Sequence, residues 1–120
     1  MGDFWPGNII VSLNQKGDLE HLYIVDWEIT RIGLPDIEIG QFCAEIHMLR
    51  RFNPGVCQAT ATLVLEHFFK AYGDIGRRAI VHMGVHICVL GAKVEWGEKE
   101  LTRQVVLEGL RMVVDGKLIT

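Results

Sequence analysis

A mostly helical α+β fold, one antiparallel β-hairpin followed by about four helices, is what this 120-residue sequence predicts. Two observations carry that expectation. Near the start, two short β-branched apolar runs flank the turn cluster Asn14-Gln15-Lys16-Gly17-Asp18. From Ile39 onward, apolar residues recur every three or four positions between Pro and Gly breaks, which is the period of a helix. Strand and helix patterns do not alternate along the chain, which argues against a doubly wound sheet.

Ile9 to Leu13 and His21 to Val25 are the two extended runs, and Gly17 suits the turn between them. Thr30 to Asp36 reads as a loop whose last residue, Asp36, caps the helix that follows. In that first helix Ile39, Phe42, Cys43, Ile46 and Leu49 form an apolar stripe, while Glu38, Gln41 and Glu45 fall on another side. Asn53 is the expected N-cap of a second helix, with Pro54 at its first position. Its stripe is Leu63, Val64, Phe68 and Ala71, ending at Tyr72-Gly73. A third helix is expected from Asp74 to about Gly91. The fourth runs from Lys99 to Val114, with Val106, Leu110, Val113 and Val114 inward and Glu108 and Arg111 paired outside.

Composition narrows the function classes. With 49% hydrophobic and 22% charged residues, the chain has the make-up of a folded protein. A net charge of −3 without a Lys/Arg stripe gives no electrostatic basis for binding nucleic acid or an anionic membrane. The apolar stretch from Ala79 to Val94 is broken by His82, His86 and glycines, and falls short of a membrane span. Cys43, Cys57 and Cys88 lack CxxC spacing and read as reduced, buried thiols, so a cytoplasmic protein is expected.

The chemistry concentrates around the hairpin. Asp3 and Asn8 stand in the spacing D-x-x-x-x-N just before the first strand, and Asp26 follows the second in Val25-Asp26-Trp27-Glu28. Phosphoryl transfer from ATP uses such a set. One carboxylate orients the attacking hydroxyl and accepts its proton, while a second carboxylate and an amide oxygen hold Mg²⁺ against the phosphates. Mg²⁺ is a hard cation that prefers oxygen donors, so Asp and Asn suit it where His or Cys would not. Asp3 and Asn8 alone would also suit a turn beside Pro6-Gly7. The joint order of loop motif, strand, turn, strand and Asp favours a catalytic loop.

With these residues in view, "GDFWPGNIIV" followed by "IVDWE" resembles the aminoglycoside phosphotransferase and choline-kinase-like family, relatives of the protein kinases. The resemblance implies Asp3 as the catalytic Asp, Asn8 as a metal-binding amide and Asp26 as the principal Mg²⁺ ligand. It further implies an ATP-dependent transfer of the γ-phosphoryl group to a hydroxyl-bearing small molecule. "EIGQFCAE" resembles the acidic opening of the next family helix, with either Glu38 or Asp36 in the place of the family's Asp. Met1 stands where the family has His, and no phosphate-covering loop or nucleotide-binding Lys is found. Residues 1–120 are therefore expected to be a partial phosphotransferase domain: catalytic loop, metal-binding segment and C-lobe helices without the N-lobe. Negligible activity is expected of the isolated chain. The alternative is a truncated, non-enzymatic fragment or a helical interaction module.

Other side chains have two readings each. Glu38, Gln41 and Glu45 either face a cleft or form a solvated helix face, and the pattern suits both. His82 and His86, four residues apart and near Cys88, have zinc-like spacing without the H-E-x-x-H pattern, so helix packing is favoured. His67 is expected in the core, bonded to backbone, and Trp5 and Trp27 are expected to fix loop geometry. Without a covering lobe, Phe4, Trp5, Ile9 and Ile24 are expected to be exposed and to promote self-association.

Overall fold

A computed structural model describes residues 1–119 and has the expected α+β architecture, a two-stranded antiparallel sheet followed by four helices. Strand β1 (Ile9–Leu13) pairs with β2 (Leu19–Ile24), with Ile9 opposite Ile24 and Val11 opposite Leu22. The second strand starts two residues before the expected His21 and stops at Ile24. Asn14 is the reason. Its side-chain oxygen accepts from the amides of Lys16 (2.8 Å) and Asp18 (3.0 Å), which closes the turn early enough for pairing to resume at Leu19. Glu20 is the extra residue of a bulge, since Ser12 faces His21 while Leu13 faces Leu19.

Helix α1 spans Pro35–Phe52, so Asp36 lies inside its first turn and does not cap it. Pro35 explains the shift. It disfavours helical backbone at Leu34, which is extended, and its own lack of an amide proton is harmless at the first helical position. Asp36 and Glu38 instead place negative charge at the positive end of the helix. Helix α2 (Pro54–Tyr72) follows directly, with Asn53 at the N-cap position but without a side-chain capping bond. Helix α3 (Arg77–Lys93) starts three residues later than Asp74, since Gly76 before it is extended and Ile75 packs against the core. Helix α4 spans Lys99–Asp115. No helix among the described residues is long and apolar enough to cross a membrane.

The core is centred on α1. Ile39, Phe42, Cys43, Ala44, Ile46, Met48 and Phe52 are buried there, with Leu49 only half-buried. Burial pushes the Cys43 thiol up to about 12, which keeps it protonated and inert. Ala61 and Leu65 reach α1 from α2, whereas Leu63, Val64 and Ala71 are exposed. The stripe facing inward on α2 includes the small, buried Ala61. Helix α3 adds Ala79, Met83 and Ile87, and α4 adds Val105 and Met112.

The inward face of α4 is rotated from the expected one. Val105, Gly109 and Met112 are buried, while Leu110 and Val114 are exposed and Val106 and Val113 are half-buried. Two glycines decide the rotation. A methyl group on Gly109 would lie 2.8 Å from the Gly84 carbonyl oxygen, and one on Gly84 would collide with the Gly109 carbonyl. The backbones of α3 and α4 touch at this crossing, where only glycine fits. Glu108 is thereby turned toward α1, where it pairs with Arg51 (2.9 Å) and His47 (2.8 Å) instead of with Arg111.

Candidate active site

The segment before β1 is fastened to the helical body at several points. Gly2 has φ +99°, and its amide donates to Glu38 Oε1 at 2.6 Å. A side chain there would meet the Ile29 carbonyl, so the position requires glycine. Of the two acids left open by the sequence, Glu38 is the one that reaches this segment. Next along the chain, Gln41 Nε2 donates to Asp3 Oδ1 at 2.7 Å. Phe4 then stacks on Phe42 of α1 with ring centroids 5.0 Å apart, and Phe42 packs in turn on Phe68 of α2. Phe4 and Ile9 are accordingly half-buried against the core and not exposed as expected.

Asn8 links this fastened segment to the hairpin. A single 3-10 turn over Pro6–Asn8 buries Asn8, which is 7% exposed. Its Nδ2 donates to the Asp3 carbonyl (2.9 Å) and to Asp3 Oδ2 (3.2 Å). Its own carbonyl accepts from the Val25 amide at 3.0 Å, extending the ladder by one rung beyond β2. Asp26 follows at once. It is exposed and is, among the described residues, the non-glycine residue with positive φ, at +65°, a conformation that Asp tolerates better than most residues. Trp27 donates from Nε1 to the Ile24 carbonyl (2.7 Å), and its own carbonyl accepts from Thr30 Oγ1 (2.6 Å), so the chain folds back sharply after Asp26.

Asp3 and Asn8 are therefore in direct contact, and Asp26 adjoins Asn8 through Val25. The side-chain donors here are oxygens, the kind a hard cation takes. Asn8 turns its amide nitrogen toward Asp3, which leaves its side-chain oxygen as the acceptor on the other side, and Asp26 supplies an exposed carboxylate.

The polar face of α1 is engaged, not solvated. Glu38 and Gln41 hold Gly2 and Asp3, and Glu45, 9% exposed, bonds His86 Nε2 at 2.9 Å. His86 thus points to α1 while the Cys88 thiol points to the Val106 carbonyl on α4, so the two do not converge on a metal. Burial and the neighbouring His86 push the His82 pKa down, against the opposing charge of Glu38. His67 bonds the Leu63 carbonyl at 2.8 Å as expected, but from an exposed position outside the core.

Two features escaped the sequence. One is the contact of Gln41 with Asp3, for which the helical spacing of Glu38, Gln41 and Glu45 was the available signal. The other is His47, 3% exposed, set between Glu108 and Arg50 Nη2. Burial pushes its pKa down, Glu108 opposes this, and Arg50 and Arg51 add to it.

Comparison with known proteins points in the same chemical direction. The chain is 25% identical over 117 residues to a 4-hydroxytryptamine kinase of Psilocybe cyanescens, covering 92% of this chain and 32% of that protein. It is 24% identical to a 4-hydroxytryptamine kinase of Psilocybe cubensis over a 125-residue alignment, covering 98% and 34% respectively. The chain spans about a third of the length of these curated relatives. No family model and no solved structure matches it. The similarity amounts to a kinase-like relationship.

Proposed function

We propose that this chain carries the catalytic-loop and metal-binding portion of an ATP-dependent small-molecule phosphotransferase. The contact between Asp3 and Asn8, with Asn8 joined to Val25 beside Asp26, is the observation that carries this reading. Asp3 orients the attacking hydroxyl and accepts its proton. Asn8 Oδ1 and the Asp26 carboxylate would hold Mg²⁺. Held there, the ion would supply neutralisation of the charge developing on the phosphates. The left-handed backbone at Asp26 supports a functional role, since such conformations cluster where a side chain must be aimed.

The acceptor is proposed to be a small hydroxyl-bearing molecule, a class supported by the printed name of the relatives. Residues 1–120 serve as a partial domain, and the groups that grip the nucleotide come from sequence outside the aligned third. Positioning and electrostatics supply nearly all of this catalysis, so the isolated chain turns over ATP negligibly. A second reading keeps the helical body as an interaction module, with the hairpin, whose β2 residues are all exposed, as the surface it presents.

The test is metal binding by the 120-residue chain, followed by Mn²⁺ paramagnetic resonance, together with ADP release from Mg²⁺-ATP. Weak Mn²⁺ binding that is lost in Asp26→Asn and in Asn8→Leu is expected, with negligible ADP release. Binding unchanged in both variants would overturn the assignment.

A further inference from the structure

We infer that Gln41 is a positioning residue for Asp3, fixing the direction of its carboxylate through a neutral hydrogen bond from α1. The inference rests on the proposed reading of Asp3 as the proton acceptor. A carboxylate on a loop swings about two side-chain bonds, and proton transfer requires it to point one way. Here both oxygens are held. Gln41 donates to Oδ1 at 2.7 Å and Asn8 to Oδ2 at 3.2 Å, so the shorter bond comes from the helix. Each carboxylate oxygen has room for a second donor, and a substrate hydroxyl still has a place.

The amide is chemically specific. An ionised carboxylate only accepts, so the Gln41 nitrogen must face it, and the reverse orientation would set two acceptors together. A Lys or Arg at position 41 would supply a donor but would neutralise Asp3 and make it a poorer proton acceptor. A Glu would repel it. Glutamine orients the carboxylate and leaves its charge intact.

Gln41 is also well backed. On the same face of α1, Glu38 holds the Gly2 amide and Glu45 is held by His86 of α3. Between them, Gly40 lets α3 approach so closely that a methyl group there would lie 2.7 Å from the Ala79 carbonyl oxygen. The donor to Asp3 therefore starts from one of the most tightly packed parts of the molecule.

The test uses ¹⁵N-labelled 120-residue chain and follows the side-chain amide resonances of Gln41 and Asn8 by nuclear magnetic resonance. In Asp3→Asn the Gln41 side-chain amide signal is expected to move, because the acceptor it faces has changed. In Gln41→Leu, the Asn8 side-chain amide is expected to shift while the Gly2 amide, held by Glu38, stays in place. Gln41→Glu gives the sharpest signature. At neutral pH two carboxylates oppose each other and the Asn8 signal is displaced. A Gln41 amide indifferent to Asp3→Asn, or an Asn8 signal unmoved by both Gln41 variants, would overturn the inference. The readout involves neither metal nor nucleotide, so its failure is distinguishable from failure of the phosphotransfer reading.

Discussion

The helical body and the hairpin are held by different forces. Where α3 crosses α4, backbone meets backbone at Gly84 and Gly109, and Ile87, Val105 and Met112 around them are fully buried. In the hairpin, all of β2 is exposed, and β1 has only Ile9 and Ser12 half-buried. Its shape comes from ladder hydrogen bonds and the Asn14 turn, which are worth little net stability where water competes for them. The candidate site lies on the seam. Asp3 is tied to the body through Gln41, while Asn8 is tied across the ladder to Val25 and so to the strand that ends beside Asp26. The body fixes Asp3, the proposed proton acceptor, and the hairpin base presents Asn8 and Asp26, the proposed metal ligands.

Breaking the body is expected to have the largest effect. Ile87 packs against Gly109, where a methyl group would lie 2.9 Å from its Cγ2, and it has no exposed surface. Ile87→Ala should cost about 4 kcal/mol, from lost transfer energy and the cavity left behind. Gly84→Ala should cost about 3 kcal/mol by forcing two helix backbones apart. Urea unfolding of the chain measures both. Unfolding free energies lowered by less than a quarter of these amounts would show that the crossing is looser than the structure has it.

The same crossing explains what the sequence made legible. The hairpin was readable because β-branched runs and a Gly-containing turn are local signals. Helix existence was readable from periodicity, but Pro35 and the extended Gly76 moved the starts of α1 and α3. The inward face of α4 was misread for a physical reason. Val106, Leu110, Val113 and Val114 make a strong apolar stripe, whereas Gly109 adds nothing to a hydrophobic pattern yet sets the closest approach. At the site, Asp3 and Asn8 were legible as a short-range pair. Gln41 was not, because it meets Asp3 across 38 positions and a polar helical stripe looks alike whether it faces water or a loop.

Acid sharpens the contrast at an intermediate scale. His47 and His82 both lie in the body, and burial lowers the pKa of each from the ordinary 6.5. As pH falls below about 6.5, the unfolded chain takes up these protons before the folded one does. The folded state therefore loses stability over that window and keeps it in full above pH 7. Thermal melts should be flat from pH 7 to 8 and fall below pH 6.5, with a shallower fall in His47→Gln. The groups facing His47 are Glu108, Arg50 and Arg51, and only Glu108 favours its charged form. A melting temperature that rises on acidification from pH 7 to 5.5 would contradict the assignment.

The smallest effect on stability is expected in the hairpin, where association becomes the informative readout. Cross-strand pairing puts Val11 and Leu22 on one face together with Ile24, while Ile10 and Tyr23 share the other face with Ser12 and His21. The second face is partly satisfied, since Ser12 Oγ lies 3.2 Å from His21 Nδ1 and the His21 ring stacks on Tyr23. The first is apolar, with Val11 and Leu22 each 53% exposed. An apolar strand face beside an open edge favours pairing with another chain. Self-association is therefore proposed to run through the Val11–Leu22 face, a more specific surface than the loop aromatics near Trp5. Val11→Thr with Leu22→Thr should change unfolding free energy by no more than about 0.5 kcal/mol, because little burial is lost. The same pair should abolish concentration-dependent light scattering, and Ile10→Thr on the other face should leave it unchanged. Equal loss of scattering in both variants would place the contact on the strand edge. A strict monomer at every wild-type concentration would remove the association proposal.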